Sequence, residues 1–258
     1  MCTLVLAWRA FADAPVVVAA NRDEAVDRPS DPPAELEPGV VAPRDAEAGG
    51  TWVGYADTES PSGLFAGVTN RWVEGLAAER SRGLLVRDCL RADSAEDAAR
   101  LVEESCREYE YDGFNLVLAD ANAALLLEWD GHLSVTNFDP GVHVVGNVGH
   151  DGTYFEPAGR PEAGPEEAHD ARRLLDALRP EPGETAEPWL ARAGDALGDH
   201  EFGVCVHTDR GYGTRSSSLL LLGTGGRRRY EFADGPPCET AYEVVVDDDG
   251  AGDGGGAT

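Results

Sequence analysis

Short apolar runs separated by polar turns open the chain. CTLVLAW, PVVVAAN, GTWVGYA and GLFAGVTN are rich in valine and leucine and bounded by Pro, Gly or Asp, which predicts strands. Between the second and third lies RPSDPPAELEPG, whose prolines and polar side chains predict a surface loop. The period then lengthens. ERSRGLLVRDCLRA puts Leu84, Leu85, Cys89 and Leu90 on one helical face. SAEDAARLVEESCREYE starts on Ser94 as N-cap, carries acids in its first turn and buries Ala98, Leu101, Val102 and Cys106. At those positions Cys89 and Cys106 read as core. A second strand set, FNLVLAD, AALLLEW, HLSVTNF and VHVVGN, precedes a second helix pair, PEEAHDARRLLDALR and AEPWLARAGDAL. FGVCVHTD, YGTRSSSLLLL, RRRYEFA and TAYEVVV complete the series as strands.

Strands grouped between paired helices point to an α+β fold with largely antiparallel sheets. Two sheets face to face, each covered by a helix pair, would bury this many apolar strands. The expected organisation is a single domain over residues 1–246, followed by an acidic, glycine-rich disordered tail at 247–258. No run of 18 or more apolar residues occurs, so no membrane span is expected. The start lacks the basic and apolar regions of a secretion signal, which makes the cytoplasm the expected location.

Charge adds the nature of the solvent. Forty-eight acidic residues face 21 basic ones, a formal net charge of −27, and every one of the basic residues is arginine. Acid spread over the whole chain reads as a surface adapted to high salt, where a Debye length of roughly 3 Å screens self-repulsion. It also argues against nucleic-acid binding, which needs a basic patch. The one arginine cluster, Arg227 to Arg229, reads as a turn and strand edge.

The five cysteines, Cys2, Cys89, Cys106, Cys205 and Cys238, show no CxxC spacing, and the six histidines no HExxH. Neither a disulfide framework, a metal site nor a bound cofactor is expected. Cys205 reads as core, and His207 has no evident partner. Trp52 in GGTWVG reads as packing, with Gly49 and Gly50 at a tight turn. Two stretches stand out. Cys2 would become the first residue if Met1 were trimmed, placing a thiol and an α-amine on one residue. VVVAANRDEAVDRPS runs an apolar strand straight into Asn21, Arg22, Asp23 and Glu24, which suits either a solvated strand end or a reactive one.

MCTLVLAWR, AANRDEAVDRPS, GGTWVGY, GVTNRW, SRGLLV, YDGFNLVLAD and YGTRSSSLLLL, in this order, resemble the NRDE-domain family, also called transport and Golgi organisation protein 2, over roughly residues 1–245. That family is similar to N-terminal nucleophile hydrolases of the choloylglycine hydrolase and penicillin V acylase type. The resemblance implies a four-layer αββα sandwich and Cys2 as nucleophile, with its own α-amine as base. An α-amine of pKa about 7.7–8.0 beside a thiol near 8.5 suits that proton exchange.

The resemblance further implies Asp23 as the partner of the amine. It departs at Ala20, which stands where those hydrolases carry arginine, so Arg22 is the arginine offered to the thiol in this segment. FAGVTN nominates Asn70 and VHVVGN nominates Asn147 as amide donors to an oxyanion, and YGTRSS nominates Arg215 as a late arginine beside the thiol. Each has a second reading: Asn70 and Asn147 as turn residues, Arg215 as a strand arginine paired with one of the many carboxylates.

The function expected is hydrolysis or acyl transfer at a non-peptide amide or a thioester of a small molecule. The alternative is a non-catalytic carrier on the same scaffold, with haem or an acyl-lipid or acyl-CoA as ligand. The sequence sets neither the substrate nor an oligomeric state.

Overall fold

The computed structural model describes residues 2–60, 62–209 and 211–250. In chain order the strands are β1 (Thr3–Trp8), β2 (Val16–Ala25), β3 (Ser30–Glu37), β4 (Val40–Asp45), β5 (Val53–Ala56) and β6 (Leu64–Asn70). Helices α1 (Arg82–Cys89) and α2 (Ala95–Glu108) follow, then β7 (Phe114–Ala119), β8 (Ala124–Trp129), β9 (Leu133–Asn137) and β10 (Gly141–Val145). Helices α3 (Ala163–Ala177) and α4 (Ala186–Gly198) lead to β11 (Tyr212–Leu222), β12 (Arg228–Ala233) and β13 (Glu243–Asp248).

The strands form two antiparallel sheets. One is a meander running β3 to β9 in sequence order; the other has the order β10-β1-β2-β11-β12-β13. Alternation along each strand decides what it packs against. Leu4, Leu6 and Trp8 of β1 and Val18 of β2 meet Phe65, Val117 and Leu126 of the opposite sheet. Val5, Ala7, Val17 and Ala19 face the other way, onto Leu174 of α3 and Trp189 and Leu190 of α4. The meander's outer face, including Leu64, Leu116 and Leu118, packs on Leu85 and Val86 of α1 and Val102 of α2. The α+β expectation with antiparallel sheets therefore holds. Ser94 caps α2 as expected, its Oγ accepting the Asp97 N–H at 3.1 Å.

Three local expectations are corrected. The proline-rich stretch is β3, not a loop. It is an edge strand, and Pro32 and Pro33 fall where its register with β4 shifts between Asp31 and Ala34, so their missing N–H groups cost no ladder bond. FGVCVHTD is no strand: it is a short 3-10 turn at His200–Phe202 followed by a single bridge, His207 to Gly213. Its backbone groups are taken by side chains instead, the Val204 carbonyl by Asn21 and the Val206 N–H by Thr214. The last strand reaches Asp248, so Asp247 and Asp248, assigned to the tail by sequence, pair with Arg229 and Arg228 in the sheet. Residues 251–258 of that tail lie outside the described residues. Among the described residues no helix is long and apolar enough to cross a membrane.

Candidate functional site

The pairing of β1 with β2 puts Thr3 opposite Asn21, which carries Cys2 alongside Arg22 and Asp23 at the end of β2. On the other side of β1, Leu4 pairs with Val145, so the segment after β10 delivers Asn147 to the same end. Across the sandwich, β6 ends on Asn70. The fourth wall is the start of α1. Gly50 and Gly83 touch through their backbones: a Cβ on Gly50 would lie 2.2 Å from the Gly83 carbonyl carbon. Thr51 N–H donates to the Gly83 carbonyl at 3.0 Å. These walls enclose a cavity of about 130 Å³ lined by Cys2, Arg22, Asp23, Trp52, Asn70 and Arg82 among others, similar in size to cavities that hold a benzene-sized group.

Cys2 is buried in this cavity wall. Its N–H donates to Asn147 Oδ1 at 2.9 Å, and its Sγ accepts the Asp23 N–H at 3.4 Å. Burial, seconded by the Asp23 carboxylate, pushes the Cys2 thiol up, while Arg22 acts the other way. Burial also pushes the Asp23 carboxyl up, opposed by the hydrogen bond from Thr214 Oγ1 to Asp23 Oδ1 at 2.6 Å.

Arg22 is 7 % exposed and spans the cavity side of β2. Its guanidinium lies 4.1 Å over the Trp52 ring and donates to Asp45 Oδ2 at 3.2 Å. Its Nη1 is buried without a hydrogen-bond partner among the described residues. Burial pulls its pKa down, and Glu24 and Asp45 pull it back up. Arg28 completes the charge set, donating to Asp45 at 2.8 Å.

The two asparagines separate in role. Asn147 Nδ2 donates to the Asn70 carbonyl at 2.6 Å, so its amide N–H is committed to the backbone and its oxygen to Cys2. It holds the Cys2 nitrogen through Oδ1 while one Nδ2 N–H is spent on the Asn70 carbonyl. The Asn70 carboxamide makes no hydrogen bond to a described residue and lines the cavity. Arg215 does not line it. It is the extra residue of a bulge between Thr214 and Ser216, and its Nη1 donates to Asp234 at 2.7 Å. Of the two arginines, Arg22 is the one that lines the cavity with Cys2.

Several residues escaped the sequence reading. Glu167 of α3 is 6 % exposed, and its Oε2 accepts the N–H groups of Asn147 (3.0 Å) and Val148 (3.2 Å). Burial raises its pKa to about 7. The available signal was an acid on the apolar face of α3, next to Ala168. Thr214, Trp52 and Asp45 carry no local signal, because their partners lie far away in the chain. Nor does His207 lack a partner: its Nε2 lies 3.1 Å from Cys238 Sγ. Among the described residues His200, His207 and Cys238 form the group whose ligand atoms lie close enough to hold a metal ion, and Cys205 Sγ lies beside two of them.

A second opening, a groove of about 900 Å³ lined by Trp72, Arg160 and Tyr212 among others, lies against the same strand end, since Tyr212 Oη donates to the Asp23 carbonyl at 3.2 Å. In comparisons with known proteins, residues 1–232 match the family described as Transport and Golgi organisation 2. No curated protein matches the chain.

Proposed function

The chain belongs to the Transport and Golgi organisation 2 family, and on that premise we propose that it is an N-terminal-cysteine hydrolase or acyltransferase acting on a non-peptide amide or a thioester. The observation that carries this is the seat of Cys2. One residue has its nitrogen held by Asn147 and its sulfur beside Asp23 in the wall of a cavity. The layering of helix pair, sheet, sheet and helix pair supports the αββα sandwich of N-terminal nucleophile hydrolases.

Removal of Met1 turns the Cys2 nitrogen into an α-amine. The thiol proton passes to that amine, and the sulfur attacks the substrate carbonyl. Asn147 Oδ1 keeps one amine proton engaged, which aims the nitrogen lone pair at the sulfur. The Asp23 carboxylate stabilises the ammonium that forms, and Arg22 stabilises the thiolate. The Asn70 carboxamide faces the developing oxyanion. A positioned donor of this kind contributes about 2.7–4 kcal/mol to the rate. As the C–N or C–S bond breaks, the ammonium proton goes to the leaving amine or thiol. Water, or an acceptor nucleophile, then releases the acyl group from Cys2 with the same amine as base.

The groove walled by Trp72 and Arg160 favours a second reading, a carrier of haem or an acyl-lipid, because it is far larger than the Cys2 cavity. A thiol-directed acylating probe separates the two. The hydrolase requires an intact mass lacking Met1, one added acyl group mapped to Cys2, and no labelling at that site in Cys2→Ala. Retained Met1 or an unreactive Cys2 rejects it. A haem titration without a Soret shift rejects the haem form of the carrier.

A further inference from the structure

We propose that Cys205, His207, Cys238 and His200 form a binding site for a thiophilic transition-metal ion, Zn²⁺ by ligand type. The side chains come from three separate segments. His200 sits in the 3-10 turn after α4, Cys205 and His207 are two apart on the stretch leading to β11, and Cys238 lies in the loop between β12 and β13. Cys205 Sγ lies 3.4 Å from Cys238 Sγ and 3.7 Å from His207 Nε2, and His207 Nε2 lies 3.1 Å from Cys238 Sγ. Ligand atoms of His200, His207 and Cys238 fall within 4.8 Å of one another.

A tetrahedral zinc ion with bonds of about 2.3 Å to sulfur and 2.0–2.1 Å to nitrogen needs its ligand atoms about 3.3–3.8 Å apart. Two of the three measured pairs, at 3.4 and 3.7 Å, fall in that range, and the third, at 3.1 Å, lies just below it. His200 is exposed, and its ring already lies 5.3 Å from that of His207, so it can turn toward the ion from the solvent side. Two thiolates and two imidazoles suit Zn²⁺ and exclude the oxygen-seeking Mg²⁺ and Ca²⁺.

The supporting backbone is built to hold the sulfurs in place. Gly198 packs against the Pro237–Cys238 peptide, where a Cβ would lie 3.2 Å from the Pro237 carbonyl oxygen. The turn carrying Cys238 is closed by the Thr240 N–H on the Pro236 carbonyl at 2.9 Å.

The site also reaches the Cys2 centre. Val206, between two of the ligands, donates its N–H to Thr214 Oγ1 at 2.8 Å, and the same hydroxyl donates to Asp23. A bound ion would clamp this segment to the β12–β13 loop and so steady the Thr214–Asp23 bond. This role differs from that of Cys2 itself, and the metal site stands whether or not Cys2 is a nucleophile.

The test is a Co²⁺ titration of the full-length, reduced protein after chelator treatment. The expected result is one Co²⁺ per chain with near-ultraviolet thiolate-to-cobalt charge transfer and intense tetrahedral visible bands, displaced by Zn²⁺. Cys2→Ala should keep these bands; Cys238→Ser and His207→Ala should lose them. The metal-free variants should unfold at the temperature of the metal-free wild type, which separates lost ligation from lost folding. If one variant misfolds, the other decides. Weak octahedral bands, bands that persist in Cys238→Ser or vanish in Cys2→Ala, or oxidation of Cys205 and Cys238 to a disulfide in place of metal uptake would each overturn the proposal.

Discussion

Asn147 spends both ends of its carboxamide, one on the Cys2 nitrogen and one on the Asn70 carbonyl, whereas Asn70 keeps its own carboxamide uncommitted in the cavity wall. Substitution should separate them. Asn147→Ala strands buried backbone groups and should lower the unfolding free energy by about 1–3 kcal/mol, besides slowing acylation of Cys2. Asn70→Ala should leave stability nearly unchanged while slowing acylation by about 10²–10³-fold. Denaturant unfolding and probe kinetics on the pair check this, and equal effects would refute the division of roles. Arg215→Ala should leave the acylation rate intact, whereas Arg22→Gln should slow it. Glu167 gives a pH test. Its carboxyl, ordinarily near 4.5, rises to about 7 on burial, so the folded state binds the extra proton between those values. Stability should therefore fall as pH rises through this window, by about 3 kcal/mol once above it. In Glu167→Gln the slope of the thermal midpoint against pH should flatten there. Asp23 and Asn147 were singled out by the family resemblance, while the apolar run ending on Asn21, Arg22 and Asp23 drew attention to that strand end without fixing its role. Glu167 was not, because a single acid on a helix face reveals its burial only when the helix is packed.

At the level of elements, alternation and capping located the strands and helices other than β3 and β4. They failed where side chains replace the ladder, as in the stretch holding Cys205 and His207, and where an edge tolerates proline, as in β3. The contact of Gly50 with Gly83 was equally hidden, since only the three-dimensional approach of the loop to α1 creates it. Gly50→Ala must push α1 away from the cavity. It should cost about 1–3 kcal/mol of stability by denaturant unfolding and reduce Cys2 acylation in parallel. A fully stable Gly50→Ala would show that α1 is not pinned at this point.

For the whole molecule the net charge of −27 is the dominant electrostatic fact. Moving from molar salt to about 0.01 M extends the Debye length from about 3 Å to about 30 Å, and the acid surface then repels itself. The thermal midpoint should fall steeply on desalting, and an unchanged midpoint would remove the reading of a salt-adapted surface.

The strand order has a consequence in time. β1 is flanked by β2, made at once, and by β10, made only after Val145; β2 in turn waits for β11. At 5–20 residues per second the ribosome needs roughly 10–40 s to supply β11 after β2. Until β11 arrives the nascent chain's first residues lack part of the sheet that later buries Cys2. Under the proposed function, methionine trimming has a window during synthesis that closes when the sheet does, and a chain that misses it would keep Cys2 unprocessed.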